Sequence, residues 1–257
     1  MTPRTLSIER IKEETLPALF ADPTSVGQYG TSEEGVSAMN ELSSLMEAGA
    51  VQKLADSIQA IVTRLADADP QKIARKPSFI DRILGRSIER EVRYRVARQT
   101  LESLIAATET YATEVNHTVK SIDALLAQHA DEISDLGVLL QAGREFLAEN
   151  PSAGIHDKPE LEFDRPRDRF SRKLTNMATL IASHEMSVLQ MKLARAHAVD
   201  MLDRFAETVS VLVPVWRQNA LALITTKNMS PDLIASATKV HQELIRSLAS
   251  SLQPTQR

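Results

Sequence analysis

Between Ser87 and Asn150 the chain carries apolar residues at alternating steps of four and three. The stripe runs Leu101, Ile105, Thr108, Ala112, Val115, Val119, Ile122, Leu126, His129, Ile133, Leu136, Leu140, Gly143, Leu147, with Thr108, His129 and Gly143 as its interruptions. A 3.5-residue period held over about six heptads specifies one long helix packed along a partner helix. A second stripe with the same period follows: Phe170, Leu174, Met177, Ile181, His184, Val188, Met191, Arg195, Ala198, Leu202, Phe205, Val209, Leu212, Trp216. The stretch Asn150 to Pro166 between them holds three prolines before Pro166 or at it, and cannot be helical throughout. Two heptad helices joined by such a linker most simply fold back on each other. At the α-helical rise, about 60 residues make a rod of about 90 Å.

The rest of the chain reads as shorter helices. Residues 7–19 are amphipathic, with Ile8, Ile11, Leu16 and Leu19 on one side, and residues 20–35 read as a Pro/Gly/Ser loop. A helix capped by Thr31 or Ser32, with Glu33 and Glu34 at its positive end, is expected to run to about Ala66. Its stripe is Leu42, Leu45, Val51, Leu54, Ile58, Ile61 and Leu65, and Gly49 weakens it midway. Pro70 and Pro77 bracket a break. Ser230-Pro231-Asp232 has the N-cap, N1 and first-turn chemistry of a helix start, and the helix after it carries Leu233, Ala237, Val240, Leu244 and Leu248. No segment alternates with period two. The expected fold is all-α: an elongated antiparallel coiled-coil-like helical hairpin of two long helices, with shorter N- and C-terminal helices packed along it. The expected division is 1–77, short helices and linkers, and 78–257, the long-helix domain.

Composition agrees. Aromatics are 4% of the chain although hydrophobic residues are 43%, which suits helices touching along seams better than a thick globular core. Cysteine is absent, which removes disulfides, thiolate metal sites and cysteine nucleophiles. The net charge of −4 gives no global drive toward nucleic acid. The first residues, MTPRTLSIERIKEE, lack the apolar core of a secretory signal, and the longest apolar run is too short for a bilayer. These features point to a cytoplasmic protein, with peripheral membrane contact as a further expectation.

Three features could carry chemistry. From Lys72 to Arg98, nine cations face three acids, with Phe79, Ile80, Ile83 and Leu84 interleaved. Arg82, Arg86, Arg90 and Arg93 are the candidate binding residues for an anionic membrane, an acidic partner or an oxyanion, though a solvated helix face is the commoner reason for such a run. Arg165, Arg167, Arg169, Arg172 and Lys173 form a weaker cluster, diluted by Asp164 and Asp168. Second, His129 and His184 fall on the two seams. They read as polar interruptions of a core, able to set register or sense pH, in preference to metal ligands. Arg195 on the second seam needs an acid, and Glu132 is its candidate mate. Third, Pro214 and Trp216 sit in a β-branched run, which predicts a kinked helix with a bulky anchor. No phosphate-cradling glycine loop, GxSxG or redox-cofactor pattern occurs, so neither a catalytic residue nor a cofactor is expected.

The segment VSVLVPVWRQN resembles the Thr-Ile-Pro-Leu-Trp-Lys-Asn-Gln signature of the TelA-type toxic anion (tellurite) resistance family. SFIDRILGR, DLGVLLQAGREFL and the segment from Arg169 to Phe205 are similar to that family's sequence in the same order, over roughly residues 78–245. Pro214 and Trp216 match outright. Val213 and Val215 replace the usual Ile and Leu, and Arg217-Gln218-Asn219 replaces Lys-Asn-Gln. The short length is similar to the compact, plasmid-borne members. The resemblance implies a role in tolerance to tellurite or related anions with no enzymatic activity, and a family motif at Pro214, Trp216, Arg217 and Asn219. It also implies action through protein partners, such as products of the same gene cluster or a second copy of the chain, or through the membrane surface. A membrane-associated helical scaffold with a host-interaction role is the alternative. An oxyanion reductase is disfavoured, because that chemistry needs thiols or a redox cofactor.

Overall fold

A computed structural model of the chain describes residues 7–31, 44, 49–69, 90–154, 165–225 and 231–252. The first helical segment joins α1 (Ile8–Arg10), a π turn (Ile11–Thr15) and α2 (Leu16–Ala21), and a 3-10 turn (Pro23–Gln28) follows. Then come α3 (Ala50–Asp67), α4 (Arg90–Glu149) and α5 (Pro166–Glu207). A second π turn (Thr208–Leu212) leads into α6 (Val213–Thr225), and α7 is Pro231–Leu252. The fold is all-helical, with no strand among the described residues. Helices α4 and α5 pack together, and every position of both heptad stripes is buried or half-buried. The expected division at Pro77 lies outside the described residues. The chain divides into two compact units, Met1–Leu45 with Ser121–Arg195 and Met46–Lys120 with Ala196–Arg257.

In the first unit, contacts of α4 and α5 run in opposite directions: Asp123 meets Arg195, His129 meets His184, and Gly143 meets Leu174 and Phe170. Gly143 interrupts the stripe because the partner helix comes close. A Cβ built there would lie 2.6 Å from Leu174 Cδ2. The N-terminal segment covers this region, with Ile11, Leu16 and Leu19 buried as expected against Leu136, Leu140, Phe146, Phe170 and Leu174. Phe20 stacks on Phe146 at 5.5 Å, and its ring meets Phe170 edge-on. Tyr29 donates its hydroxyl to the Leu139 carbonyl at 2.7 Å. Arg167 donates to the Asn150 and Leu147 carbonyls, closing the C-terminal end of α4 where carbonyls lack helical partners.

The second unit is built around α3, whose Leu54, Ile58, Ile61 and Leu65 are fully buried. Gly49 is not a weak point inside a helix. It adopts φ +63° and is the N-cap from which α3 starts, a left-handed conformation that glycine takes without a Cβ penalty. The expected helix before it, with Leu42 and Leu45, lies outside the described residues. At the other end, Ala68 N–H still reaches Arg64, but the carbonyls beyond have no helical donor. Two side chains from other helices supply them. Trp216 Nε1 donates to Ala68 O at 2.9 Å, and His241 Nε2 to Leu65 O at 3.0 Å. A carbonyl only accepts, so the proton of His241 is on Nε2. The buried face of α7 is centred on His241: of the expected stripe Ala237 and Leu244 are half-buried, with Leu244 against the core, but Val240 is 45% exposed, whereas Thr238 and His241 are buried. Leu233 and Leu248 have side chains outside the described set.

Two prolines shape the helices in the same way. In each case a five-residue π turn closes through an i to i+5 bond, Leu16 N–H to Ile11 O and Val213 N–H to Thr208 O, and proline is the next residue. Pro17 and Pro214 lack the N–H that an α-helical register would use. The wider turn accommodates the missing donor within a continuing helix. Within the expected loop 20–35, of which residues 32–35 lie outside the described set, Asp22 accepts from Thr24 N–H and starts the 3-10 turn Pro23–Gln28.

Replacing Trp216 by Phe keeps an aromatic ring beside Tyr94 but leaves the buried Ala68 carbonyl without a donor. The expected loss is about 1–3 kcal/mol of stability in urea unfolding followed by circular dichroism; an unchanged midpoint would remove the capping role. His241 also makes stability depend on pH. Burial lowers its pKa, while the Leu65 carbonyl and Asp69 act in the opposite direction. The neutral ring is favoured in the fold, so its contribution is fully present above the unfolded value of about 6.5 and is lost as pH falls through the lower folded value. Between about pH 7 and about pH 5 the unfolding midpoint should drop, and more shallowly in His241→Gln. Equal slopes in both proteins would contradict the assignment.

Candidate functional site

The family-like segment, Val209–Asn219, begins within the second π turn and runs on into α6. Pro214 is exposed and lines a depression of about 290 Å³ with Glu102, Ile105, Ala106, Glu109, Val209, Val213 and Arg217. Trp216 points the other way and is 1% exposed, stacked on Tyr94 with ring centroids 5.7 Å apart. The one tryptophan of the chain is therefore an internal anchor, consistent with the bulky junction residue expected from the sequence. Arg217 reaches Glu102 Oε1 at 3.3 Å, its Nε buried without a hydrogen-bond partner. The Nδ2 of Asn219 is likewise buried without one.

Residues 72–89 of the basic segment, Arg82 and Arg86 among them, lie outside the described residues, and Arg90 opens α4 with its side chain outside the described set. Arg93 is half-buried on α4. A basic concavity of about 310 Å³ forms in the first unit from Val26, Gly27, Arg169, Arg172, Lys173 and Asn176. Lys173 is tied there by donation to Gly27 O at 3.0 Å.

The two seam histidines meet. Their Nδ1 atoms are 2.8 Å apart, and Glu132, one turn beyond His129 on α4, brings Oε2 to 3.9 Å from His129 Nδ1 and 3.7 Å from His184 Nδ1. The side chains of His129, His184 and Glu132 are 1%, 9% and 10% exposed. Neither oxygen of Glu132 has a hydrogen-bond partner, and neither does Nε2 of His129. Burial, then the adjacent His184, lowers the pKa of His129 against the pull of Glu132. Among the described residues these three form a group whose ligand atoms all lie within 4.8 Å. The layer separates an apolar cluster of Ile122, Leu125 and Met191 from the larger one around Phe170.

The expected Glu132–Arg195 pair does not form. Arg195 binds Asp123 through two contacts of 2.5 and 3.3 Å, near the solvent edge of the seam. A guanidinium on a long stem reaches the edge of a seam where a carboxylate and water both stabilise it. Glu132 is therefore left to the histidines. The i, i+3 spacing of His129 and Glu132 was the available signal, since it puts both on one helix face.

Away from the seam, α5 leaves apolar side chains uncovered. Met186, Leu189 and Leu193 are 58%, 60% and 73% exposed, and Leu180 is 41% exposed. The first three follow i, i+3, i+7, which makes a single helical face. No helix among the described residues is long and apolar enough to cross a membrane.

The model of the toxic anion resistance protein (TelA) family matches residues 17–255. The chain is 57% identical over 253 residues to Protein KlaA of Escherichia coli, covering 98% of each chain. It is 24% identical over 289 residues to Protein KlaB of Escherichia coli, covering 99% of this chain and 75% of that one. No solved structure matches. The chain belongs to the TelA toxic anion resistance family.

Proposed function

We propose that this TelA-family chain contributes to tolerance of tellurite or related toxic anions without catalysing a reaction, by docking a helical protein partner. The observation that carries the docking part is the uncovered face of α5, where Met186, Leu189 and Leu193 stand more than half exposed. Three large apolar side chains at heptad spacing match the stripe of another helix. The family supplies the physiological direction. The lack of cysteine supports a non-enzymatic role, since thiol-dependent reduction of an oxyanion cannot be carried by this chain's own side chains.

The test is expression in a sensitive bacterium, alone and with its neighbouring genes. Tolerance should rise in at least one background, and the triple variant Met186→Glu/Leu189→Glu/Leu193→Glu should lose it while keeping its helical circular dichroism. No rise with the native chain rejects the resistance role; a rise that survives in the triple variant rejects the face. The elongated antiparallel hairpin is part of the same proposal, with α4 and α5 paired within one chain. Light scattering with small-angle scattering should give a monomer mass and a longest dimension near 90 Å, the reach of about 60 helical residues. A dimer of greater length would assign the pairing to two chains.

A further inference from the structure

We propose that His129, Glu132 and His184 bind one divalent transition-metal ion of the zinc type, clamping α4 to α5 within the first unit. The ligand atoms converge from two helices: His129 and Glu132 from successive turns of α4, His184 from the facing turn of α5. Their separations of 2.8, 3.7 and 3.9 Å bracket the distance of about 3.3 Å between ligand atoms around tetrahedral zinc. Small side-chain rotations equalise them around an ion.

The polar groups themselves ask for a cation. Both oxygens of Glu132 are buried with no donor within reach. A bare carboxylate in such a place is costly. Protein neighbours do not relieve it: one Nδ1 proton can be shared between the histidines, and Glu132 is too far from either for a hydrogen bond. An ion between the three takes an imidazole lone pair from each histidine and a carboxylate oxygen from Glu132. The Nε2 of His129 is not answered by coordination and remains a residual cost.

The donor set selects the ion. Two imidazole nitrogens and one carboxylate favour zinc, cobalt, nickel or copper over magnesium and calcium, which prefer all-oxygen shells. Three protein ligands leave a fourth tetrahedral position for water. The side chains are buried between two facing helices, as in metal sites built inside helical bundles. The site holds the register of the two helices at the layer where their apolar contact is interrupted.

The full chain, stripped of metal by a chelator and dialysed, should take up one equivalent of Zn2+ in competition with a chromophoric chelator, with a raised thermal midpoint. Co2+ should give the visible absorption of a tetrahedral nitrogen–oxygen site, and Mg2+ should do neither. His129→Gln, His184→Gln and Glu132→Gln should each weaken Zn2+ binding by at least about tenfold. The exposed-histidine controls His117→Gln and His197→Gln should not. Glu132→Gln also separates metal binding from folding, because removing the buried charge should raise the thermal midpoint of the metal-free protein while abolishing the zinc-dependent rise. Absence of a stoichiometric Zn2+ or Co2+ complex in the native chain overturns the site, as does binding that all three variants retain.

Discussion

The contact between α4 and α5 is the interaction on which the other helices depend. Each long helix is apolar along a narrow stripe and cannot bury it alone. Packing the stripes together removes that surface from water, and the shorter helices then cover what remains in each unit. The N-terminal segment closes over Leu136 to Phe146 with Phe170 and Leu174. In the other unit α3 supplies the fully buried residues and draws α6 and α7 toward its C-terminal end.

Polar chemistry enters this structure mainly where backbone groups have no helical partner. Trp216 and His241 answer carbonyls at the end of α3, and Arg167 does the same for α4. The prolines belong to the same economy of donors. Pro17 and Pro214 would each leave a carbonyl without its N–H, and each is preceded by a π turn. The conspicuous Pro214-Val215-Trp216 stretch thus has a structural account on both counts. The proline is exposed at a widened turn, and the tryptophan is an internal hydrogen-bond donor.

The layer of His129, Glu132 and His184 is different, because its polar atoms face each other without satisfying each other. It interrupts two apolar clusters in the place where a seam would gain most from leucine. The uncovered face of α5 is the reverse case, apolar where water would favour charge. Both are departures from what folding alone requires, which is where functional constraints are expected to show.

Much of the fold was legible in the sequence because a heptad is a local code. Leu101 to Leu147 and Phe170 to Trp216 declare two long helices and the side of each that is buried, since the helical period converts spacing directly into direction. The family was legible from the Pro-x-Trp segment. Partner choice was not. Arg195 takes Asp123 in place of Glu132, Gly49 begins a helix where an interruption was expected, and α7 centres its buried face on His241, with Val240 toward water. Periodicity gives the face of a helix but not its axial register against another. A shift of one turn exchanges every cross-helix pair while leaving each stripe intact. Only the tertiary structure sets that register, because it is decided by close approaches such as Gly143 against Leu174 and by which donors reach which unpaired carbonyls.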